Sequence, residues 1–180
     1  VYVLFDAGTQ APLLLVDGAA LTALRTAAVS GLATRHLARA DAGRLVLFGA
    51  GVQARAHLEA MAAVRSATDL VVVSRTQERA EALVAVASAM GIEAAAGGPE
   101  AVSQADLVCT CTTATEPLFP GSALLRGAHV NAVGAYQPHA REVDTETVRR
   151  ARVVVETRAA AMEEAGDLLI PIGEAAITAD

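Results

Sequence analysis

The chain has 180 residues, room for one domain or for one domain and part of a second, and 53% of them are hydrophobic against 19% charged, a core-rich balance that suits strands covered on both faces. A formal net charge of −6 without any Lys/Arg cluster opposes a phosphate-reading nucleic-acid face. Apolar runs such as 45–48, 70–73 and 153–155 fall far below the roughly 18–20 residues of a membrane span, so no transmembrane segment is expected.

The chain opens on Val1-Tyr2-Val3 without a methionine and stops at Ala179-Asp180 after a loop-like Ile170-Pro171-Ile172-Gly173, so both ends read as cut. Residues 1–6 and 13–17 are β-rich runs around Ala7-Gly8-Thr9-Gln10, whose turn chemistry predicts a hairpin. Over 19–40 the period becomes helical: Leu21, Leu24, Ala28 and Leu32 form an apolar stripe, with Asp17 or Thr22 as cap. Asp41-Ala42-Gly43 ends that helix, with Gly43 expected at positive φ, and the domain boundary falls there.

Next come a strand over 44–48, a turn at Gly49 to Gly51, a helix over 53–65 and a strand over 69–74, which together make a βαβ unit. A second amphipathic helix over 77–90 is ended by Gly91. Strands follow at 92–96, 105–112, 128–134 and 152–156. This alternation predicts an α/β fold, a Rossmann-type doubly wound, mostly parallel sheet with helices on both faces. Cys109 and Cys111, two apart in a strand, read as small buried hydrophobes. His36, His57, His129 and His139 lack ligand spacing, so no metal is assigned. The low cysteine use and the lack of a signal-peptide pattern point to the cytoplasm.

The chemistry sits at Gly49-Ala50-Gly51-Val52-Gln53-Ala54. A pyrophosphate needs backbone N–H groups aimed at it and a helix N-terminus behind it, and glycine lets the main chain come close enough. Ala54 stands where a third glycine is usual, and a small residue suffices there for helix–strand packing. A dinucleotide cofactor is therefore expected. The second strand of the unit ends in Ser74-Arg75-Thr76, with Arg79 following. No acid stands at the tip to take a free ribose 2′-hydroxyl, whereas guanidinium groups suit a 2′-phosphate. NADP(H) is thus favoured over NAD(H).

Three segments in order, Leu21 to Ala28, the Gly49 to Ala54 turn, and Asn131-Ala132-Val133-Gly134-Ala135-Tyr136-Gln137-Pro138 followed by Arg141-Glu142-Val143-Asp144, resemble the ornithine cyclodeaminase/μ-crystallin family over essentially the whole chain. The resemblance implies an NAD(P)-dependent homodimeric enzyme of amino or imino acids. It also implies a part of an α+β substrate and dimerisation domain over 1–40, an NAD(P)-binding domain over 41–160, and a return segment over 161–180. Arg25 would hold the substrate carboxylate while lying against the cofactor. Val52 and Gln53, beside the motif glycines Gly49 and Gly51, would touch the pyrophosphate, and Ser74, Arg75 and Thr76 the adenosine ribose, with Arg79 beside Arg75 for a 2′-phosphate. Thr112 would touch the cofactor beyond the fourth strand, and Val133, Gly134, Ala135 and Tyr136 would lie at the nicotinamide side.

Two departures shape the expected chemistry. Where the cyclodeaminase itself has an acidic residue near the nicotinamide, this chain has Tyr136, whose phenol is a poor base at neutral pH. The family's catalytic lysine lies upstream of the hairpin, and no lysine occurs in these 180 residues. The resemblance then implies reduction of a cyclic imino acid of the Δ1-pyrroline-2-carboxylate type by hydride transfer. Ornithine cyclodeaminase, alanine dehydrogenase-type chemistry and a non-catalytic NADPH-binding protein are the alternatives.

Overall fold

The structure is a computed structural model that describes residues 1–66 and 69–179; Asp180, the last residue of the expected return segment, lies outside the described residues. The hairpin forms as expected from β1 (Tyr2–Phe5) and β2 (Pro12–Val16), paired antiparallel. Its turn is held by the Asp6 carboxylate, which accepts from the backbone N–H groups of Gly8 at 3.0 Å and Thr9 at 2.7 Å. All four β1 residues are solvent-exposed.

The helix α1 (Gly18–Leu37) is capped by Asp17, which accepts from the N–H groups of Ala19 and Ala20. The face it buries is not the expected leucine stripe. Leu24 and Leu32 are 69% and 57% exposed, while Ala27, Ser30, Gly31 and Thr34 are buried. The reason is proximity to α2 (Val52–Val64): a side chain on Gly31 would already touch Ala60 at 3.5 Å, so small residues face inward and large ones outward. The C-terminal carbonyls of α1 are gathered by Arg65, whose Nη2 donates to Thr34 O, Arg35 O and Ala38 O and whose Nε donates to Arg39 O. The helix ends at Leu37 and not at 40, and Gly43 is not at positive φ. Instead the N–H groups of Gly43 and Arg44 both donate to Asp106, which fixes the entry to the sheet without a left-handed cap.

The sheet is parallel and five-stranded, in the order β5-β4-β3-β6-β7, built from β3 (Arg44–Phe48), β4 (Asp69–Val73), β5 (Glu93–Ala96), β6 (Leu107–Thr110) and β7 (His129–Ala132). The chain runs outward from β3 through β4 to β5, then returns to the other side of β3 for β6 and β7, so the switch point lies between β3 and β6. Alternation along β3 explains why both faces are covered. Leu45 and Leu47 pack with Leu58, Met61, Leu70 and Leu83, under α2 and α3 (Gln77–Ala89). Val46 and Phe48 pack on the opposite face with Val102, Val108 and Phe119, the two phenyl rings 5.2 Å apart and tilted. Gly91, at φ +80°, ends α3 as expected.

Two expectations fail at the C-terminal end. Residues 152–156 form no strand; they run as irregular exposed chain, with Val153, Val154 and Val155 between 41% and 57% exposed. Three valines favour a strand only where a neighbouring ladder accepts them, and among the described residues the sheet ends at β7. The segment read as a loop at 170–173 is the end of α6 (Gly166–Gly173), with Pro171 inside it. It follows α4 (Thr145–Arg150) and α5 (Arg158–Glu164). No helix among the described residues is long and apolar enough to cross a membrane.

Candidate functional site

The C-terminal ends of the strands open into one cleft of about 1340 Å³, larger than the roughly 300–1,000 Å³ that a drug-sized ligand occupies. It lies at the switch point, where open α/β sheets bind ligands. All the residues expected at a site line it: Arg25 from α1; Gly49, Gly51, Val52 and Gln53 from the β3–α2 turn; Ser74, Arg75, Thr76 and Arg79 beyond β4; Thr112 beyond β6; and Val133, Gly134, Ala135 and Tyr136 beyond β7.

The β3–α2 turn is shaped for a close approach. Gly49 takes φ +101°, donates its N–H to Val73 O at 2.8 Å, and sits so close to the Cys111 carbonyl that any side chain would overlap it. Gly51 has an ordinary φ of −96°, and a side chain there would meet nothing within 4 Å. The space it leaves open belongs to the cleft. Gly51 also has no side chain with which to cap α2, so the first-turn N–H groups stay available to an anion. The side-chain oxygen of Gln53 is buried and has no hydrogen-bond partner among the described residues. An open glycine cradle and a bare helix N-terminus together fit a pyrophosphate-bearing ligand.

At the β4 tip, the Thr76 N–H donates to Ser74 Oγ at 3.2 Å, which turns the chain into α3. Arg75 and Arg79 make no hydrogen bond or ion pair among the described residues and are free to take an anion; the same holds for Arg25 on α1. Helix α1, which carries Arg25, is bolted to α2. The buried His57 donates from Nδ1 to Gln53 O at 2.8 Å, which leaves Nε2 to accept from Ser30 Oγ at 2.9 Å. Burial lowers the His57 ring from the ordinary imidazole value, in the direction of the neutral ring that makes both bonds. The Cys109 thiol is pushed up to about 12 by burial, and Cys111 is pushed up as well. Both cysteines behave as small hydrophobes.

Sequence reasoning missed one group of cleft residues and the role of one buried residue that bonds to the cleft lining. The group is Gly97, Gly98 and Pro99 just past β5, together with Val154 to Thr157; the Gly-Gly-Pro run was visible as a turn, but nothing local said that it faced the cleft. The residue is Glu142. Its side chain is fully buried, and Oε1 accepts from Thr112 N at 2.8 Å and Thr112 Oγ1 at 2.6 Å while Oε2 accepts from Gly134 N at 2.6 Å. The backbone N–H groups of Glu142 and Val143 donate in turn to Asp167 on α6, whose buried carboxyl is pushed up by desolvation, with the nearby Glu142 adding to the effect.

Comparison with known proteins identifies the family of the chain. A model of the ornithine cyclodeaminase/mu-crystallin family matches residues 1–179. A Delta(1)-pyrroline-2-carboxylate reductase of Bacillus cereus is 40% identical over 183 residues, covering 97% of this chain and 54% of that protein. The ketimine reductase mu-crystallin of Mus musculus is 40% identical over 167 residues, covering 93% and 53%. Among solved structures, the Thermococcus litoralis Delta(1)-pyrroline-2-carboxylate reductase in complex with NADH and L-proline superposes with a TM-score of 0.94 at 38% identity, over 98% of this chain and 56% of that one. The chain thus spans about half the length of the curated relatives it matches. With the matching family model, the parallel sheet and the glycine cradle at its switch point, this chain belongs to the ornithine cyclodeaminase/mu-crystallin family.

Proposed function

We propose that this chain is the cofactor-bearing part of an NAD(P)-dependent reductase of a cyclic imino acid of the Δ1-pyrroline-2-carboxylate type, with residues 41–160 as the dinucleotide-binding unit. The observation that carries the reading is that a free guanidinium, Arg25 on α1, lines the same cleft as the glycine cradle at Gly49 to Gln53. A cation that matches a carboxylate in bidentate fashion thereby shares one space with a pyrophosphate site. The naming of the Bacillus and mouse relatives and the proline-bound archaeal structure support the same substrate class.

In this reading Gly49, Gly51, Val52 and Gln53 hold the pyrophosphate, Ser74, Arg75, Thr76 and Arg79 the adenosine ribose, and Thr112, Val133, Gly134 and Ala135 flank the nicotinamide end. The bound nicotinamide supplies the hydride that reduces the C=N carbon. Arg25 fixes the substrate carboxylate, which makes the encounter effectively intramolecular. Tyr136, 67% exposed at the cleft, offers no charge to an ammonium group, which favours an imine over a diamine substrate. No lysine occurs here, and no residue of this chain is assigned the proton transfer to nitrogen. Arg75 and Arg79 support NADP(H) over NAD(H). The exposed hairpin and outer leucines of α1 support burial of that face in a homodimer, and the low cysteine use supports a cytoplasmic setting.

The test is oxidation of NADPH and NADH by the full-length protein with Δ1-pyrroline-2-carboxylate and Δ1-piperideine-2-carboxylate. Turnover of at least one with formation of the cyclic amino acid is expected; no turnover of either with both cofactors overturns the reading.

A further inference from the structure

The tips of β6 and β7 are held together by a single carboxylate. Glu142 is fully buried, and among the described residues it has no ion-pair partner, so its two oxygens are satisfied by the three donors on Thr112 and Gly134. Removing a carboxylate from water is costly unless such donors replace the hydration, so the two tips and the carboxylate stand or fall together. The approach is tight. A side chain at Gly134 would overlap both the Thr112 carbonyl and the Glu142 carboxyl group, which makes glycine necessary there for the contact itself. The Thr112 hydroxyl is committed twice, donating to Glu142 Oε1 and accepting from Ala114 N at 3.0 Å. A hydroxyl so engaged is a poor direct ligand. Asp167 anchors the far side by accepting from the backbone of Glu142 and Val143.

We propose that Glu142 is a positioning residue, which fixes through Thr112 and Gly134 the spacing and orientation of the two loops at the nicotinamide end of the cleft and so governs how a bound dinucleotide presents its reactive ring. This rests on the reading of the cleft as a dinucleotide site. Glu142 itself touches neither ligand; Thr112 contributes through its position and not through its hydroxyl. Because the clasp lies on β6 and β7 while Ser74, Arg75 and Arg79 lie beyond β4 on the other side of β3, losing it should disturb one half of the cofactor and spare the other.

The experiment compares Glu142→Gln with the unsubstituted full-length protein in the binding of NADPH and NADH, the binding of the same dinucleotides lacking the nicotinamide base, and turnover. In the amide, one of the three donors must face an N–H group. The expected result is weaker binding of the intact dinucleotides by about tenfold, binding of the base-less dinucleotides within about twofold, and a kcat lower by about a hundredfold, the size of effect an ångström of misplacement produces. Equal weakening of both ligand types, or no change in either, in a folded variant overturns the proposal. Should Glu142→Gln not fold, Thr112→Val, which keeps the shape and removes the hydroxyl that donates to Glu142 and accepts from Ala114 N, decides by the same split, and Thr112→Ser restores it. If the unsubstituted protein reduces no cyclic imino acid, the reductase reading falls, while the two binding measurements still decide the role of Glu142.

Discussion

The side chain of Asn131 on β7 donates from Nδ2 to Thr34 Oγ1 on α1 at 2.9 Å, a bond between residues 97 positions apart and buried at both ends. Asn131 Oδ1 faces His129 Nε2 at 3.2 Å, and the Thr34 hydroxyl points at Met61 Sδ at 3.4 Å. This bond links the helix that carries Arg25 to the strand that ends in the Val133 to Tyr136 segment.

Replacing Thr34 by Val keeps the shape and removes the acceptor, leaving a buried amide N–H group with only weak sulfur neighbours. An unsatisfied buried donor costs about 1–3 kcal/mol. Urea denaturation of Thr34→Val should show a loss of that size with an unchanged denaturant slope, whereas Thr22→Val, at the solvent-exposed start of the same helix, should lie within about 0.5 kcal/mol of the parent. Equal stability of Thr34→Val and parent would mean that the bond holds nothing.

The protein should lose stability on mild acidification because of His57. Its pKa is depressed in the fold by burial, so between that depressed value and the unfolded value of about 6.5 the unfolded chain binds the extra proton. The contribution is intact above about pH 6.5 and lost as pH falls through the folded value. His129, depressed chiefly by burial too, acts in the same direction. Asp6, Asp106 and Asp144, all lowered from 3.8, act in more acid solution. Between about pH 7 and 5 the two histidines should tilt the unfolding free energy downward, against the opposite pull of Asp167, whose raised carboxyl takes up its proton in the fold first, and His57→Gln, though less stable overall, should show a less downward slope. A parallel slope in the variant would remove His57 as the cause.

How much of this was readable depended on how local each decision is. The bounds of β3 follow from Leu45 to Phe48 between a charged residue and a glycine, and the β3–α2 turn from its two glycines; both are choices made within a few residues. The buried face of α1 was not readable, since an apolar stripe says only which side avoids water, and here closeness to Ala60 selects the small side around Gly31. Glu142 was hidden for a related reason. A glutamate between an arginine and a valine looks solvated until the donors of Thr112 and Gly134, 30 and 8 residues away, are brought around it. Residues 152–156 failed in the opposite sense, because a strand needs a partner that sequence pattern cannot supply.

The choice of cofactor turns on Arg75. If its guanidinium, free of partners among the described residues at the β4 tip, meets a 2′-phosphate, its removal costs about 1.5–3 kcal/mol, the value of a hydrogen bond to a charged group. Arg75→Ala should then bind NADPH at least about tenfold more weakly and bind NADH as before. If both cofactors weaken together, Arg75 serves the shared part of the dinucleotide, and the preference for NADP(H) loses its support.

The two glycines of the turn separate folding from binding. Gly49 stands at φ +101° against the Cys111 carbonyl, so Gly49→Ala combines backbone strain of about 1–2 kcal/mol with an overlap that only a shift of β6 relieves. Its stability should drop sharply whether or not ligand is present. Gly51 has an ordinary φ and open space around it, so Gly51→Ala should melt like the parent. Yet the added methyl would occupy the path by which a pyrophosphate reaches the N-terminus of α2, and binding of NADPH and NADH should weaken by at least about tenfold. Thermal melts with and without dinucleotide check both at once: Gly49→Ala should start low, and Gly51→Ala should start at the parental value but lose most of the upward shift that ligand produces. A Gly51→Ala protein that melts normally and keeps the full shift would show that no pyrophosphate lies against this turn, and the dinucleotide reading of the cleft would have to be abandoned.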